Sequence, residues 1–429
     1  MGAAEPAETV PCGCKSARTL QPRALGMPAP ARAAVAVIGA GVAGCALVAQ
    51  LRRLGFAGAI SLWETGRGPG GRAGSRRSRT DAGLVINHGA PLLNITGAPE
   101  PALLQPLLAA GALEPWAGPV AMLEGERRLN IGRPDALGRG RLFQGRGGMD
   151  QLGQGLLRLA GGAGLDIRYG TFVRHLTMAP EGWWQLRGGD GQLLGEARWL
   201  VLSGTLLAHP RCQLILGWPD VPLAEAASTL GDWQLDHVLT TLAGVRFEAR
   251  SNLLLVFAQE QARPWRALPF RLLNFDAAAQ QRWGLRRLSI QPLADGRCAV
   301  VAHSSHTFAA DHLDVYGARS AMARLLQVPV EASREDAVIR SLLEAVRQCL
   351  APWVPGIDPS EVPPQLMRWG AAFPQPPGLP AELMVCEASR VGFCGDVIDA
   401  EGFGRVEGAL RSAELLAGRL APQLVNGPG

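Results

Sequence analysis

The chain is poor in lysine and in tyrosine. Lys15 is the only lysine, so nearly all of the 42 basic residues are arginine, and the only tyrosines are Tyr169 and Tyr316. Downstream of residue 15, no lysine amine is therefore available as a catalytic base or a covalent anchor.

Long apolar runs are also missing. No run approaches the ~18 residues that a membrane-spanning helix needs, and residues 1–30 lack the apolar core of a secretory signal. We therefore expect no membrane span and a cytoplasmic location of bacterial type. Plastid import is a weaker alternative, because Glu5 and Glu8 are unusual in a transit peptide. Residues 1–32 predict a disordered leader, and translation could begin at Met1 or at Met27.

The cysteines and the net charge exclude two further classes of protein. Eight cysteines are scattered over the chain, and the close pair Cys12 and Cys14 has no second pair to complete a zinc site. We expect reduced thiols and no metal. A net charge of +5 is too small to indicate nucleic-acid binding, although it suits an anionic ligand. Nothing in the sequence indicates the oligomeric state.

What is present is a large apolar content and one glycine-rich turn. The chain has 429 residues and is 47% hydrophobic, enough for two or three domains. Residues 33–40 predict a buried strand, 43–55 a helix, and 57–64 a second strand. Between the first strand and the helix, Gly39, Gly41 and Gly44 fit G-x-G-x-x-G.

This arrangement is typical of a dinucleotide site. The first glycine permits a tight turn, the second lets the backbone approach a pyrophosphate, and the third lets helix and strand pack closely. The helix N-terminus, with Val42 and Ala43, offers free N–H groups to phosphates. Glu64 ends the second strand, where a carboxylate can bind a ribose diol.

Five further segments resemble, in the same order, the FAD-dependent oxidoreductases of the amine oxidase and renalase-like family. They are "PGGRAGSRRS" (69–78), "INHGAPLLNI" (86–95), "GRGGMDQL" (145–152), "RWGAAFP" (368–374) and "FCGDVIDAEGFGRVEGALRSAELLAGRL" (393–420). The resemblance spans about residues 34–420. Asn87 stands where that family has an acid, and Ser412 is followed by alanine instead of glycine.

The resemblance implies an α/β fold with two domains. The first is a three-layer, Rossmann-type FAD-binding domain with a parallel sheet, formed by residues 33–95, 143–220 and 366–421. The second is an α+β substrate domain built on a mixed sheet, formed by residues 96–142 and 221–365. Residues 422–429 form a tail.

The resemblance also implies non-covalent FAD and a set of site residues. In that family the matches of Arg72 and Asp396 lie near the pyrophosphate and the ribityl chain, and the helix that begins near Arg405 faces the flavin. The implied cofactor-binding residues are Gly39, Gly41, Val42, Ala43, Gly44, Glu64, Gly71, Arg72, His88, Gly89, Ala90, Val173, Gly395, Asp396, Arg405 and Val406.

The implied chemistry is hydride transfer from a small organic substrate to flavin N5, with dioxygen as the electron acceptor. Amine oxidases place a lysine near N5, and this chain has none there. A renalase-like oxidation of a dihydronicotinamide is therefore the leading hypothesis. His88 is the candidate catalytic residue, although it could instead hold its loop by backbone hydrogen bonds, and Trp369 and His303 are candidate substrate contacts.

Two other functions stay open at this point. One is an FAD-dependent desaturase or isomerase that acts on an isoprenoid or a tetrapyrrole, which would need an apolar tunnel. The other is a flavin-binding protein without turnover. Whether the bound flavin is bleached by a donor and recovers in air distinguishes them.

Overall fold

The computed structural model describes residues 31–317, 323, 331–359 and 362–426. Almost all of the predicted leader, including Lys15, Cys12 and Met27, lies outside the described residues, as do the last three residues of the predicted tail.

The strands alternate with short helices along most of the chain. The strands of the described residues are β1 (Ala31–Ile38), β2 (Ile60–Glu64), β3 (Ser75–Arg77), β4 (Val85–Asn87), β5 (Leu93–Ile95), β6 (Leu113–Pro115), β7 (Val120–Leu123), β8 (Leu129–Ile131), β9 (Arg141–Gly145), β10 (Leu165–Tyr169), β11 (His175–Met178), β12 (Trp184–Arg187), β13 (Leu193–Leu202), β14 (Phe247–Phe257), β15 (Leu272–Phe275), β16 (Leu285–Pro292), β17 (Cys298–Ser304), β18 (Gln365–Pro374), β19 (Leu379–Pro380), β20 (Val385–Cys386), β21 (Val391–Phe393) and β22 (Ile398–Asp399).

The helices of the same residues are α1 (Val42–Arg53), α2 (Leu104–Ala109), α3 (Asp150–Ala160), α4 (Arg211–Leu216), α5 (Pro222–Ala227), α6 (Trp233–Gly244), α7 (Gln259–Ala267), α8 (Ala277–Trp283), α9 (His306–Ala310), α10 (Ala332–Leu350) and α11 (Val406–Asn426). Within the described ranges, no helix is long and apolar enough to cross a bilayer.

The first sheet is built around β1 and carries the predicted parallel arrangement. Its strand order is β10-β2-β1-β13-β12-β11, and β21 also pairs with β13. Strands β10, β2, β1, β13 and β21 are parallel, whereas β12 and β11 are antiparallel. Ala33 and Val35–Val37 of β1 and most side chains of α1 are buried in one core with α3 and α11. Small and branched residues such as Val35, Ala36 and Val37 suit a strand that is covered on both faces.

The second sheet is mixed, as predicted. Its order is β18-β14-β17-β16-β15-β7-β8, and only the β7–β15 pair is parallel. One face packs its leucines and valines against α7, α8 and α10. The other face carries polar residues as well as a small apolar cluster. This alternation is typical of strands whose two faces meet different surroundings. The two sheets together confirm the predicted α/β class.

Several segments contact the other sheet than the predicted division into domains implies. Strand β18, most of which was predicted in the FAD-binding domain, is paired along its length with β14 of the second sheet. Helices α2, α5 and α6, predicted in the substrate domain, bury residues such as Leu104, Leu223 and Leu235 in the core of the first sheet. Backbone pairing and apolar burial are long-range contacts that local sequence does not encode. The division into domains stays a prediction.

Candidate functional site

A cleft of about 1330 Å³ lies between the two sheets. On one side it is lined by residues at the carboxyl ends of β1, β2 and β13 and just after β21. On the other side it is lined by polar residues of β14, β16, β17 and β18. In open α/β sheets, ligands bind beyond the carboxyl ends of the parallel strands. The cleft is therefore where the fold favours a ligand.

The three glycines of the G-x-G-x-x-G turn have different surroundings. Gly39 has a φ of +102°, and a Cβ there would lie 2.6 Å from Oγ of Ser203. A Cβ on Gly44 would lie 2.0 Å from the carbonyl oxygen of Gly39. A Cβ on Gly41 would have no atom within 4 Å. Gly39 and Gly44 are thus required by the fold, whereas Gly41 keeps open the space that a ligand would occupy.

Glu64 is held against this turn by two backbone donors. Its Oε2 accepts a hydrogen bond from the N–H of Ala40 at 2.8 Å, and its Oε1 accepts one from the N–H of Gly66 at 2.5 Å. The carboxylate also lines the cleft. Since a carboxylate has about four lone-pair sites, two remain for hydroxyl donors such as those of a ribose.

Arg72 joins the glycine-rich loop to the last segment of the first sheet. Its guanidinium forms a bidentate pair with Asp396, with Nη1–Oδ2 and Nη2–Oδ1 distances of 2.7 and 2.5 Å. Its backbone carbonyl accepts a hydrogen bond from Ala90, and a Cβ on Gly89 would lie 2.0 Å from that carbonyl. Arg72 and Asp396 therefore orient each other at the cleft wall, and their predicted contacts with a cofactor stay predictions.

Helix α11 begins at the cleft. Gly404, Arg405 and Val406 line it at this end. Gly395 has a φ of +137°, and its N–H donates to Oγ of Ser412 at 2.9 Å. Ser412, which precedes the alanine that departs from the family pattern, thus has a structural role, since it binds the loop that precedes α11.

Asn87, the other departure, also fixes a loop. Its Oδ1 accepts hydrogen bonds from Oγ of Ser75 at 2.7 Å and from the N–H of Met149 at 2.8 Å. The amide thereby ties β4 to the start of α3 and fixes the backbone immediately before His88.

The second sheet places a row of polar residues over the cleft. The row begins at Met367 of β18 and continues, in register, with three polar residues: Asn252 of β14, His303 of β17 and Arg287 of β16. Residues directly opposite each other on neighbouring strands point to the same face, and all four line the cleft. Trp369, two residues after Met367, stacks on the ring of His88 with ring centroids 5.6 Å apart and planes 19° apart.

Several polar atoms around this row lack a partner among the described residues. They are buried and comprise His88 Nδ1, Asn252 Oδ1, His303 Nε2 and Trp369 Nε1. Most buried polar groups in native proteins are hydrogen-bonded. The amide of Asn252 has a fixed orientation, because its Nδ2 donates to the carbonyl of His88 at 2.7 Å. A cluster of such atoms at one cleft wall indicates a surface made for a polar ligand.

Both histidines of the site are neutral at neutral pH. Burial lowers the pKa of His88 to about 4, with a further contribution from the charge of Arg76. Burial also lowers the pKa of His303 to about 3, helped by the charges of Arg287 and Arg250. Each ring can therefore donate from one nitrogen and accept at the other.

The cleft has more arginines than acids in its lining, although five of these arginines are paired with a carboxylate: Arg72, Arg77, Arg250, Arg287 and Arg405. Among the described residues, ten arginines line it: Arg67, Arg72, Arg76, Arg77, Arg79, Arg211, Arg250, Arg287, Arg368 and Arg405. Three acids line it, and each is engaged: Glu64 with backbone N–H groups, Asp150 with Arg77, and Asp396 with Arg72. Arg211 has no ion pair with a described residue, and its buried Nε has no partner. Burial, followed by the charge of Arg72, lowers the pKa of Arg211 to about 10.

The structure brings the predicted site residues together. All of them except Gly44 line the cleft, including Val173, His88, Trp369 and His303. Gly44 is buried behind the turn, in keeping with its predicted packing role. Within the described part of the chain, no group of His, Cys, Asp or Glu side chains is arranged to hold a metal ion.

Sequence reasoning missed Arg211, Asn252 and Arg287. Asn252 and Arg287 lie in strands that mix polar with apolar residues, FEARSNLLLVF (β14) and LRRLSIQP (β16), so neither position stands out in the sequence. Arg211 carries no signal either, because arginines are frequent throughout this chain.

Comparisons with known proteins agree with the geometry. Residues 37–105 match the family described as NAD(P)-binding Rossmann-like domain. Similar solved structures include cyclohexylamine oxidase from Brevibacterium oxydans, with 13% identity, coverage of 92% of this chain and 100% of that chain, and a TM-score of 0.59. They also include putrescine oxidase bound to putrescine, with 12% identity, coverage of 91% and 99%, and a TM-score of 0.57.

A third similar structure is that of a protein from Exiguobacterium sp. 255-15 provisionally named a protoporphyrinogen oxidase. It has 12% identity, covers 93% of this chain and 100% of that chain, and has a TM-score of 0.58. No curated protein matches the sequence significantly. Residues 37–105 therefore resemble an NAD(P)-binding Rossmann-like domain, and the chain shares its overall fold with these three structures.

Proposed function

We propose that the chain is an FAD-dependent oxidoreductase that oxidises a small anionic organic molecule. The proposal is supported by the dinucleotide turn, by the second glycine-rich helix entry at α11, and by a fold shared with several oxidases. The cleft exceeds the ~300–1000 Å³ of a usual small-ligand pocket. This volume suits a dinucleotide together with a substrate.

The residues of the first sheet fit non-covalent FAD. Gly41 leaves the space that a pyrophosphate would need, and the start of α1 offers backbone N–H groups. Glu64 retains acceptor sites for a ribose, while Arg72 and Arg405 line the cleft with guanidinium groups that are each paired with a carboxylate. When bound, FAD would take a hydride from the substrate and pass the electrons to dioxygen.

The observation that carries the substrate class is the charge of the cleft. A protonated amine needs a carboxylate or an aromatic cage, and each of the three acids at this cleft already has partners. The arginines instead favour an anion. A phosphorylated dihydronicotinamide, the substrate of a renalase-like reaction, carries such charge, and its oxidation requires no lysine.

His88, which follows β4, and Trp369 of β18 would orient the substrate. His88 and Trp369 form a stacked pair whose free polar atoms meet the cleft wall. Because His88 has a pKa of about 4, it is a neutral hydrogen-bonding group in the working range and not a cation. Its proposed role is to position the substrate ring by hydrogen bonding.

A second candidate is an oxidase of a tetrapyrrole. The size of the cleft and the likeness to the Exiguobacterium protein favour it, and a tetrapyrrole with carboxylate side chains would also meet the arginines. Its rings would need more apolar surface than the polar row on the second sheet provides.

The proposed function is tested by a panel of donors of different charge. The purified holoprotein is mixed anaerobically with acid-isomerised NADH, putrescine, cyclohexylamine or protoporphyrinogen, and the rate of flavin bleaching is measured. We expect isomerised NADH to be the fastest donor and the two amines to be inactive. Bleaching by an amine alone would overturn the anionic assignment, and bleaching by protoporphyrinogen alone would select the second candidate. A Gly41→Val protein without flavin is the blank.

A further inference from the structure

We propose that Arg287 and His303 form an oxyanion subsite on the second sheet, which binds a carboxylate or phosphate oxygen of the substrate. This inference rests on the proposed function and identifies the residues that select for charge. The ligand's oxyanion would meet Nη1 of Arg287 and the free nitrogen of His303.

Arg287 is fixed in place by neighbours that leave one end of its guanidinium free. Its Nε donates to Oδ1 of Asn274 at 2.8 Å, and its Nη2 donates to Oδ2 of Asp135 at 2.9 Å. Nη1 has no hydrogen bond to any residue that the structure describes. The side chain is only 6% exposed, and it lines the cleft. The guanidinium is therefore preorganised, with one nitrogen left for a ligand.

The charge of Arg287 is only partly balanced. Asp135 accepts from Arg286 at 3.2 Å as well as from Arg287, and its Oδ1 accepts from the backbone N–H groups of Leu137 and Gly138. One carboxylate thus serves two arginines. A buried cation without full compensation is costly, and a ligand anion would supply the missing charge.

His303 stands beside Arg287 in the register of the sheet. The two residues are directly opposite each other on β17 and β16, so their Cβ atoms are about 5 Å apart. Nε2 of His303 is buried and has no partner among the described residues. The low pKa of this histidine, about 3, keeps it neutral, so that it can donate one hydrogen bond without adding charge. Together they can bind one oxyanion through a charged and a neutral donor.

The test uses three probes with the same ring and different charge: benzoate, benzamide and benzylamine. Each is titrated into the FAD-containing protein near neutral pH, and the dissociation constant is read from the flavin difference spectrum. We expect benzoate to bind at least about 10-fold more tightly than benzamide, in line with a charge-assisted hydrogen bond. Benzylamine should bind most weakly.

Variants then assign the preference to Arg287. In Arg287→Gln the preference for benzoate over benzamide should disappear, and in Arg287→Lys it should be partly kept. The matched control is Arg286→Gln, which removes the adjacent arginine that also binds Asp135 but does not line the cleft. It should keep the preference, which separates charge selection from damage to the Asp135 cluster.

The outcomes are distinct. Equal affinity for benzoate and benzamide in the parent, or an unchanged preference in Arg287→Gln, would overturn the subsite. A change of equal size in Arg286→Gln would also overturn it, because the effect would then belong to Asp135. Failure of the protein to bind FAD would instead overturn the proposed function. A yellow protein that fails only the charge test refutes only the subsite.

Discussion

Replacement of His303 by glutamine should change how the stability of the protein depends on pH. Burial, aided by the charges of Arg287 and Arg250, lowers the pKa of His303 from 6.5 to about 3 in the folded state. In the unfolded chain the pKa returns to its ordinary value. Because the folded-state pKa is the lower one, the stabilisation is complete above pH 6.5 and is lost as the pH falls toward 3.

The size of the effect follows from proton linkage. At pH 7 both states are mostly deprotonated at this residue, whereas at pH 5 the unfolded state is protonated and the folded state is not. The free energy of unfolding should therefore fall by about 2 kcal/mol between pH 7 and pH 5 through His303 alone. His303→Gln removes the titrating group and hence this loss.

The assay is urea denaturation of the FAD-containing protein at the two pH values, followed by far-ultraviolet circular dichroism. The parent should lose about 2 kcal/mol more than His303→Gln on going from pH 7 to pH 5. A His237→Gln variant, altered at an exposed histidine of α6, is the control and should behave like the parent. Parallel losses in the parent and in His303→Gln would refute the assignment of a buried neutral imidazole.

Three other substitutions separate folding from binding. Gly44→Ala should destabilise the protein by about 1–3 kcal/mol in thermal melting, because its Cβ would meet the carbonyl of Gly39 at 2.0 Å; an unchanged melting temperature would contradict the packing argument. Gly41→Val should have the melting temperature of the flavin-free parent protein yet retain little FAD after purification, since its side chain enters open cleft space; full flavin content would contradict the proposal that Gly41 leaves space for the pyrophosphate. Arg211→Met should lower the stability of the FAD-free protein by no more than about 1 kcal/mol, because this half-buried cation has no ion-pair partner among the described residues and loses only its hydrogen bond to Thr205 and its contact with the ring of Phe247, and it should raise KM for an anionic donor; a large loss of stability would show that the cation has a structural role.

Local sequence was sufficient for the dinucleotide half of the fold. The unit from β1 to β2 is encoded in consecutive residues, which form a strand, the glycine turn, a helix and a second strand. The length of this unit places Glu64 at the end of the second strand, where a ribose-binding acid is expected. The end segment around Gly395 and α11 was predicted from its resemblance to the closing segment of the amine oxidase and renalase-like family, and its position at the cleft agrees with that prediction.

The side of the cleft that is formed by the second sheet could not be predicted in the same way. Asn252, His303 and Arg287 are far apart in sequence and come together only through the register of β14, β17 and β16. Register depends on which strands pair, and that is decided by the packing of a whole sheet. The same reason explains why residues 366–374, which pair with β14 of the second sheet, were predicted in the FAD-binding domain. His303 was singled out from the sequence, but its neighbours were not.

The central claim is that the cleft binds FAD and that an anionic donor reduces it. The most direct measurement is the visible spectrum of the purified protein through one cycle of anaerobic addition of acid-isomerised NADH and readmission of air. The account predicts an oxidised-flavin spectrum that is bleached by the isomers and restored by oxygen. A colourless protein that takes up no added FAD would contradict it.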